Sequence, residues 1–187
     1  MTTPIIEKGG IVNLAKETVQ PAGSQKFYFG AGWDKTGGGT DLDLMAALLV
    51  DGKVVDLAYF GQKTLPGAKL SDDNRSGEGA GDDEFLIIDV DNLPSNVNGI
   101  AIGIAVYSGD DFASVANPHI RGCDGASATD TQIFDFPIKD TAFANDTVLH
   151  AATLQKGGAG WMLKAIGTFH AKGKGTDAVN GFQGLFA

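Results

Sequence analysis

Cysteine is almost absent from this chain: Cys123 is the only one in 187 residues. One thiol cannot close an internal disulfide or build a cysteine-rich zinc site. Long apolar runs are missing too. Nothing approaches the ~20 apolar residues of a membrane-spanning helix. The opening segment Met1–Lys8 lacks the apolar stretch of a signal peptide. The expectation is a soluble, cytoplasmic protein. Basic residues are few: 14 Lys and Arg stand against 23 Asp and Glu, for a net charge of −9. Such a surface repels nucleic acid and anionic lipid and favours cations.

Signatures of catalysis are sparse as well. No Gly-x-Ser-x-Gly elbow occurs. Gly173-Lys174-Gly175-Thr176 breaks the phosphate-loop rule, because a glycine separates the lysine from the hydroxyl. His119, His150 and His170 are dispersed, with no i, i+4 ligand pair among them. His119 and Cys123 stand four apart, but a lone cysteine near a histidine is usually a bystander. The expectation is a non-enzymatic protein.

What the chain does contain is globular: 43% hydrophobic and 20% charged residues, with 27 glycines, roughly double the usual share. This length suits one domain burying about 70% of its unfolded surface. Apolar runs are short and separated by turn residues. They predict strands near Gly10–Ala15, Lys26–Gly32, Leu42–Val50, Val54–Phe60, Phe85–Val90, Gly99–Val106, His119–Arg121, Gln132–Phe136, Thr147–Gln155 and Trp161–Thr168. Asp51-Gly52 and Lys156–Gly160 read as hairpin turns. One short helix fits Asp110–Ala116, capped by Ser108 or Asp110. The Gly/Lys-rich tail from about residue 171 reads as mobile, with Phe182, Leu185 and Phe186 beyond it able to dock. About ten short strands with at most one or two short helices predict an all-β antiparallel sandwich, a closed barrel being the alternative.

The most informative segment is Asp72–Glu84. It carries six acidic side chains and three alternating glycines, Gly77, Gly79 and Gly81. Counted from Asp72, oxygen-bearing residues fall at positions 1, 3 and 5 (Asp72, Asn74, Ser76), glycine at 6 (Gly77) and a carboxylate at 12 (Asp83). This is nearly the spacing of an EF-hand calcium loop. The flanks are not helical: glycines and a proline precede it, and a β-branched run follows. A calcium loop on a β scaffold fits this pattern; the alternative is a solvated acidic turn.

A second cluster lies upstream. Asp41 and Asp43 are two apart at the start of a strand, so they share one face while Leu42 and Leu44 take the other. Asp82 and Glu84 repeat that relation before Phe85. The alternative for Asp41 and Asp43 is a cap or a guard on a strand edge. Trp33 reads as core.

In Gly32-Trp33-Asp34, Asp41-Leu42-Asp43-Leu44 and above all Asp72–Glu84, the chain resembles the TerD family of tellurium-resistance and stress-response proteins. Val115–Arg121, Phe134–Phe136 and Gly160–Gly167 add weaker support, and the resemblance runs from about Gly10 to Gly181. It implies a single β-sandwich domain binding calcium, usually two ions. The implied ligands are Asp41, Asp43, Asp72, Asn74, Asp82, Asp83 and Glu84, backbone oxygens near Gly77 and Gly79, and Asp34 as an addition. It also implies a role in tellurite or chemical stress and phage response, through other proteins, other Ter-type proteins or itself. Association with the membrane would be peripheral and through partners. Thr40, where an aromatic is common, Ser76 in place of Thr, and the longer Lys-rich tail depart from the family pattern. Two further readings remain: a calcium-rigidified scaffold subunit that self-assembles, and a metal-dependent enzyme or binder of a phosphorylated small molecule.

Overall fold

The computed structural model describes residues 11–13, 25–34, 39–138, 146–158 and 160–187. The chain forms β1 (Ile11–Asn13), β2 (Lys26–Asp34), β3 (Asp41–Val50), β4 (Lys53–Ala58), β5 (Thr64–Leu65) and β6 (Ala68–Leu70). Then come β7 (Glu84–Asp89), β8 (Gly99–Ser108), β9 (Ala116–Asp124), β10 (Thr131–Pro137), β11 (Val148–Gly157) and β12 (Gly160–His170). A helix, α1 (Thr176–Gln183), follows the strands. The strands build two six-stranded antiparallel sheets, in the orders β1-β12-β11-β8-β3-β4 and β10-β9-β2-β7-β6-β5. This is the all-β sandwich that the strand pattern predicts. The remainder of the first predicted strand and Gly37-Gly38 lie outside the described residues.

Alternation along the strands explains the interior. Phe27, Phe29, Ala31 and Trp33 of β2 face Leu42, Leu44, Ala46 and Leu48 of β3 and Ile100, Ile102, Ile104 and Val106 of β8, in one core between the sheets. Trp33 belongs to that core. Asp51 and Gly52 both have positive φ, 52° and 81°, which is the type I′ turn their sequence demands.

Four differences from the sequence expectation have physical causes. First, β8 and, from Leu44 onward, β3 do not alternate apolar with polar; both faces are apolar. The outer face, with Met45, Ala47, Leu49, Ala101 and Ala105, is covered by Ala178, Val179 and Phe182 of α1. Beyond the Gly/Lys stretch the chain is therefore a docked helix, where the sequence named only side chains able to dock. A Cβ at Gly103 would collide with the Phe182 ring, so that glycine makes the seat. Connector residues are tied as well: Gly175 N–H donates to Val106 O at 3.1 Å and Lys172 N–H to Thr147 Oγ1 at 3.1 Å. Second, the helix expected at Asp110–Ala116 is only a 3-10 turn, Phe112–Ser114. Its cap is Asp111, whose Oδ1 accepts from Ser114 N–H at 3.1 Å, because β9 already begins at Ala116. Third, β9 runs through Pro118, which the sequence reading places outside the strand. The β2–β9 register shifts between Gly32 and Asp34, opposite this proline, and the irregularity absorbs the missing donor. Fourth, β5 and β6 form a small hairpin around Pro66-Gly67 where only a loop is expected; Gly67, at φ 74°, supplies the turn.

Candidate metal centre

β4 pairs with β3 only from Ala46 onward, which leaves the first half of β3 with an open edge. The start of β7 turns into that edge. Glu84 Oε2 accepts from Leu44 N–H at 2.8 Å, and Oε1 accepts from Asn74 N–H at 3.3 Å. One carboxylate oxygen from each of Asp43, Asp73 and Glu84 lies within 4.8 Å of the others. Asp41 stands on the same strand face as Asp43. These groups are deep: Asp41, Asp43 and Glu84 are 5%, 3% and 5% exposed. Asp41 Oδ1 is buried without a hydrogen-bond partner. A cavity of ~10 Å³, lined in part by Asp73, Glu84 and Leu44, opens beside the cluster.

Two unit charges 4.8 Å apart repel by about 3–4 kcal/mol at an effective dielectric of about 20. The cluster cannot stay fully ionised without help. Burial, then the Asp43 and Asp73 charges, pushes Glu84 up to about 8, against the hydrogen bond from Leu44. Burial, with Asp41 and Asp73, lifts Asp43 to about 7. Burial and Asp73 lift Asp41 to about 6. Arg75 Nε donates to Asp73 Oδ2 at 2.9 Å, but that arginine is largely exposed and offsets little. Either protons or a cation must neutralise the site. Its donors are all oxygens, the set that suits a hard cation, calcium or magnesium, and not zinc. An unpartnered buried acceptor beside three convergent carboxylates fits such an ion.

Asp82, Asp83 and Glu84 are consecutive, yet each side chain takes a different direction. Glu84 enters the cluster. Asp83 ties the loop together: its Oδ2 accepts from Trp33 N–H at 2.9 Å and its Oδ1 from Asn74 Nδ2 at 3.0 Å. Asp82 lies on the outer face of β2, accepting from Tyr28 O–H at 2.8 Å and from Arg121 Nη2 at 2.6 Å. Asn74 Oδ1 in turn accepts from the N–H groups of Ser76 and Gly77, at 3.1 and 3.2 Å. Gly77 is buried with φ 58°, and a Cβ there would stand 2.5 Å from the Trp33 indole. Gly79 is exposed, at φ 141°.

Of the residues named from the sequence, the fold brings Asp43 and Glu84 together, with Asp41 near enough to Asp43 to raise its pKa and with Asn74 and Asp83 bracing the loop. Asp72 does not join them; its carboxylate is fully exposed and pairs with Lys63 Nζ at 2.7 Å. Asp82 is held on the other face of β2, and Asp34 is exposed at the end of β2, accepting from Asn117 Nδ2. Asp73 takes the place that loop counting assigns to Asp72. The EF-hand template gives position 2 no ligand, so spacing pointed past it; the only available hint was that adjacent acids allow two registers.

The fold and site define a class: an all-β sandwich carrying an acidic cluster where a glycine-rich loop closes on an open strand edge. The chain belongs to the TerD family, whose domain model matches residues 1–176. It is 30% identical over 185 residues to stress response protein SCP2 of Bacillus subtilis (strain 168), covering 87% of this chain and 90% of that protein. It is 29% identical over 181 residues to tellurium resistance protein TerD of Alcaligenes sp, covering 90% and 91%. Among solved structures, a homologue of telluride resistance protein (TerD) from Streptomyces coelicolor A3(2) superposes with a TM-score of 0.70 at 18% identity, over 85% of this chain and 98% of that one. That likeness is one of fold. The family match ends where α1 begins. Among the described residues, no helix is long and apolar enough to cross a membrane.

Proposed function

We propose that the protein is a non-enzymatic calcium-binding module acting in the cytoplasmic response to tellurite or other chemical stress. The observation that carries this is the convergence of Asp43, Asp73 and Glu84 within 4.8 Å, beside the unpartnered Asp41 Oδ1. Asp41, Asp43, Asp73 and Glu84 hold the cation, and Asn74 and Asp83 keep the loop in place around it. Calcium is preferred to magnesium because it accepts irregular arrangements of many carboxylate oxygens. Loading neutralises the cluster and stiffens the 72–84 loop against β3, and the stiffened loop becomes a surface for other proteins or a second copy. The stress role is supported by the names of the relatives. Thermal melts and calorimetric titration with calcium, magnesium and chelator test this reading. A hundredfold excess of calcium over its dissociation constant should stabilise by about 2.7 kcal/mol. A melting temperature indifferent to calcium refutes it.

A further inference from the structure

On the outer face of β2, away from the acidic cluster, Asp82 is the hub of a small buried network. Its side chain is 3% exposed. Arg121 of β9 grips it with a fork: Nε reaches the two carboxylate oxygens at 2.9 and 3.1 Å, and Nη2 reaches Oδ2 at 2.6 Å. The rest of the guanidinium is held too, with Nη1 donating to Ala128 O at 3.2 Å and Cζ 5.9 Å from the centre of the Tyr28 ring. Tyr28 O–H donates to Asp82, and His119 Nε2 lies 3.6 Å from Oδ1. Two glycines of β2 make room. A Cβ at Gly30 would collide with the Asp82 carboxylate, and one at Gly32 would collide with the His119 ring. Neither glycine has a positive φ, so space is what the site requires of them.

Asp82 is separated from Glu84 by one residue. Asp83 N–H donates to Ala31 O at 2.8 Å, so this short stretch is pinned to β2 by its backbone while its side chains diverge. Fixing Asp82 fixes where Asp83 and Glu84 can point. A buried ion pair is weak evidence for stability in itself, but it can select one arrangement over others.

We propose that Arg121 is a positioning residue for the cation site: through the buried Asp82 carboxylate it locks the end of the 72–84 loop, and so sets cation affinity without touching the cation. The proposal rests on the calcium reading above. It also makes a prediction opposite in sign to that of Asp82 as a direct ligand. If Asp82 were a ligand, Arg121 would compete with calcium for it, and removing the arginine would tighten binding.

The test combines calcium titration calorimetry with amide hydrogen exchange of residues 72–84 in calcium-free protein. Arg121→Gln should weaken calcium binding by about 10- to 100-fold, the usual effect of losing a group that orients a ligand. It should also speed exchange across the loop. Arg121→Lys, which keeps charge but loses the fork, should fall between. Gly30→Ala displaces the same carboxylate without altering the arginine, so it should act in the same direction. The double variant should be no worse than the worse single one, because both act through one carboxylate. Asp82→Asn should match Arg121→Gln. Equal or tighter calcium binding in Arg121→Gln overturns the proposal, as does a far larger loss in Asp82→Asn or unchanged loop exchange. If the unmodified protein binds no calcium, the calcium reading and the affinity claim both fall, while the exchange data still decide whether the latch orders the loop.

Discussion

Calcium loading should release protons, and their number follows from the buried cluster. At about pH 7, Glu84, lifted to about 8, is largely protonated in the cation-free protein; Asp43, at about 7, is half so; Asp41, at about 6, is mostly ionised. A bound cation requires carboxylates, so about one to two protons must leave per calcium bound. The groups titrate as a coupled set, so the count belongs to the cluster and not to one residue. Affinity should then rise by about tenfold or more per pH unit between about pH 6 and pH 8. Titration calorimetry at about pH 7, repeated in PIPES and in Tris, reads the proton count from the dependence of enthalpy on buffer ionisation. Glu84→Gln should lower that count by about one. Equal affinity at pH 6 and pH 8, with an enthalpy indifferent to buffer, refutes the reasoning, because the cluster would then be ionised before the cation arrives. The same shifts fix the sign of stability. Each of these carboxyls titrates higher in the folded protein than in the unfolded chain, so the folded state binds more protons between about pH 4 and pH 8. Their contribution to the stability of the cation-free protein should be lost as pH rises through that window, opposed between about pH 4 and 6.5 by His150, which burial lowers to about 4. Asp82 opposes this only at lower pH: burial alone would raise it, but His119, Arg121 and Tyr28 hold it well below the carboxylate range.

Other outcomes follow from single contacts. Glu84→Gln, whose amide can accept from only one of the Leu44 and Asn74 N–H groups, should abolish most of the calcium-induced rise in melting temperature; melts with calcium and with chelator read it. Gly77→Ala should destabilise by about 1–3 kcal/mol in urea unfolding, since it meets both a left-handed backbone and the Trp33 indole. Phe182→Ala should cost about 3–5 kcal/mol in the same assay, because its ring fills the seat over Gly103 and Ala101.

Local rules made much of this molecule legible. The short apolar run at Lys26–Gly32 and the Asp51-Gly52 turn pointed to their structure directly. The i, i+2 spacing of Asp41 and Asp43 placed them on one face, and the fold brings Asp43 to Glu84. What was hidden depends on long-range packing. The doubly apolar runs Leu42–Val50 and Gly99–Val106 require a cover on the outer face, but nothing local in the Gly/Lys-rich tail says that α1 provides it. Asp73 and Asp82 were hidden for a related reason. Alternation within a loop is not fixed by a ladder, so which of several adjacent acids turns inward is decided by partners far off in sequence: Lys63 draws Asp72 out, and Arg121 takes Asp82 to the opposite face. Loop counting sees the charges but not those partners.

In the proposed site Asp43, Asp73 and Glu84 hold a calcium ion while Asp82 does not. A crystal structure of the calcium-loaded protein tests it most directly, by the anomalous signal of the ion. A peak is expected with oxygens of Asp43, Asp73 and Glu84 at about 2.3–2.6 Å and the Asp82–Arg121 fork intact. A peak coordinated by Asp82 with Arg121 displaced, or no peak at the cluster at saturating calcium, contradicts it.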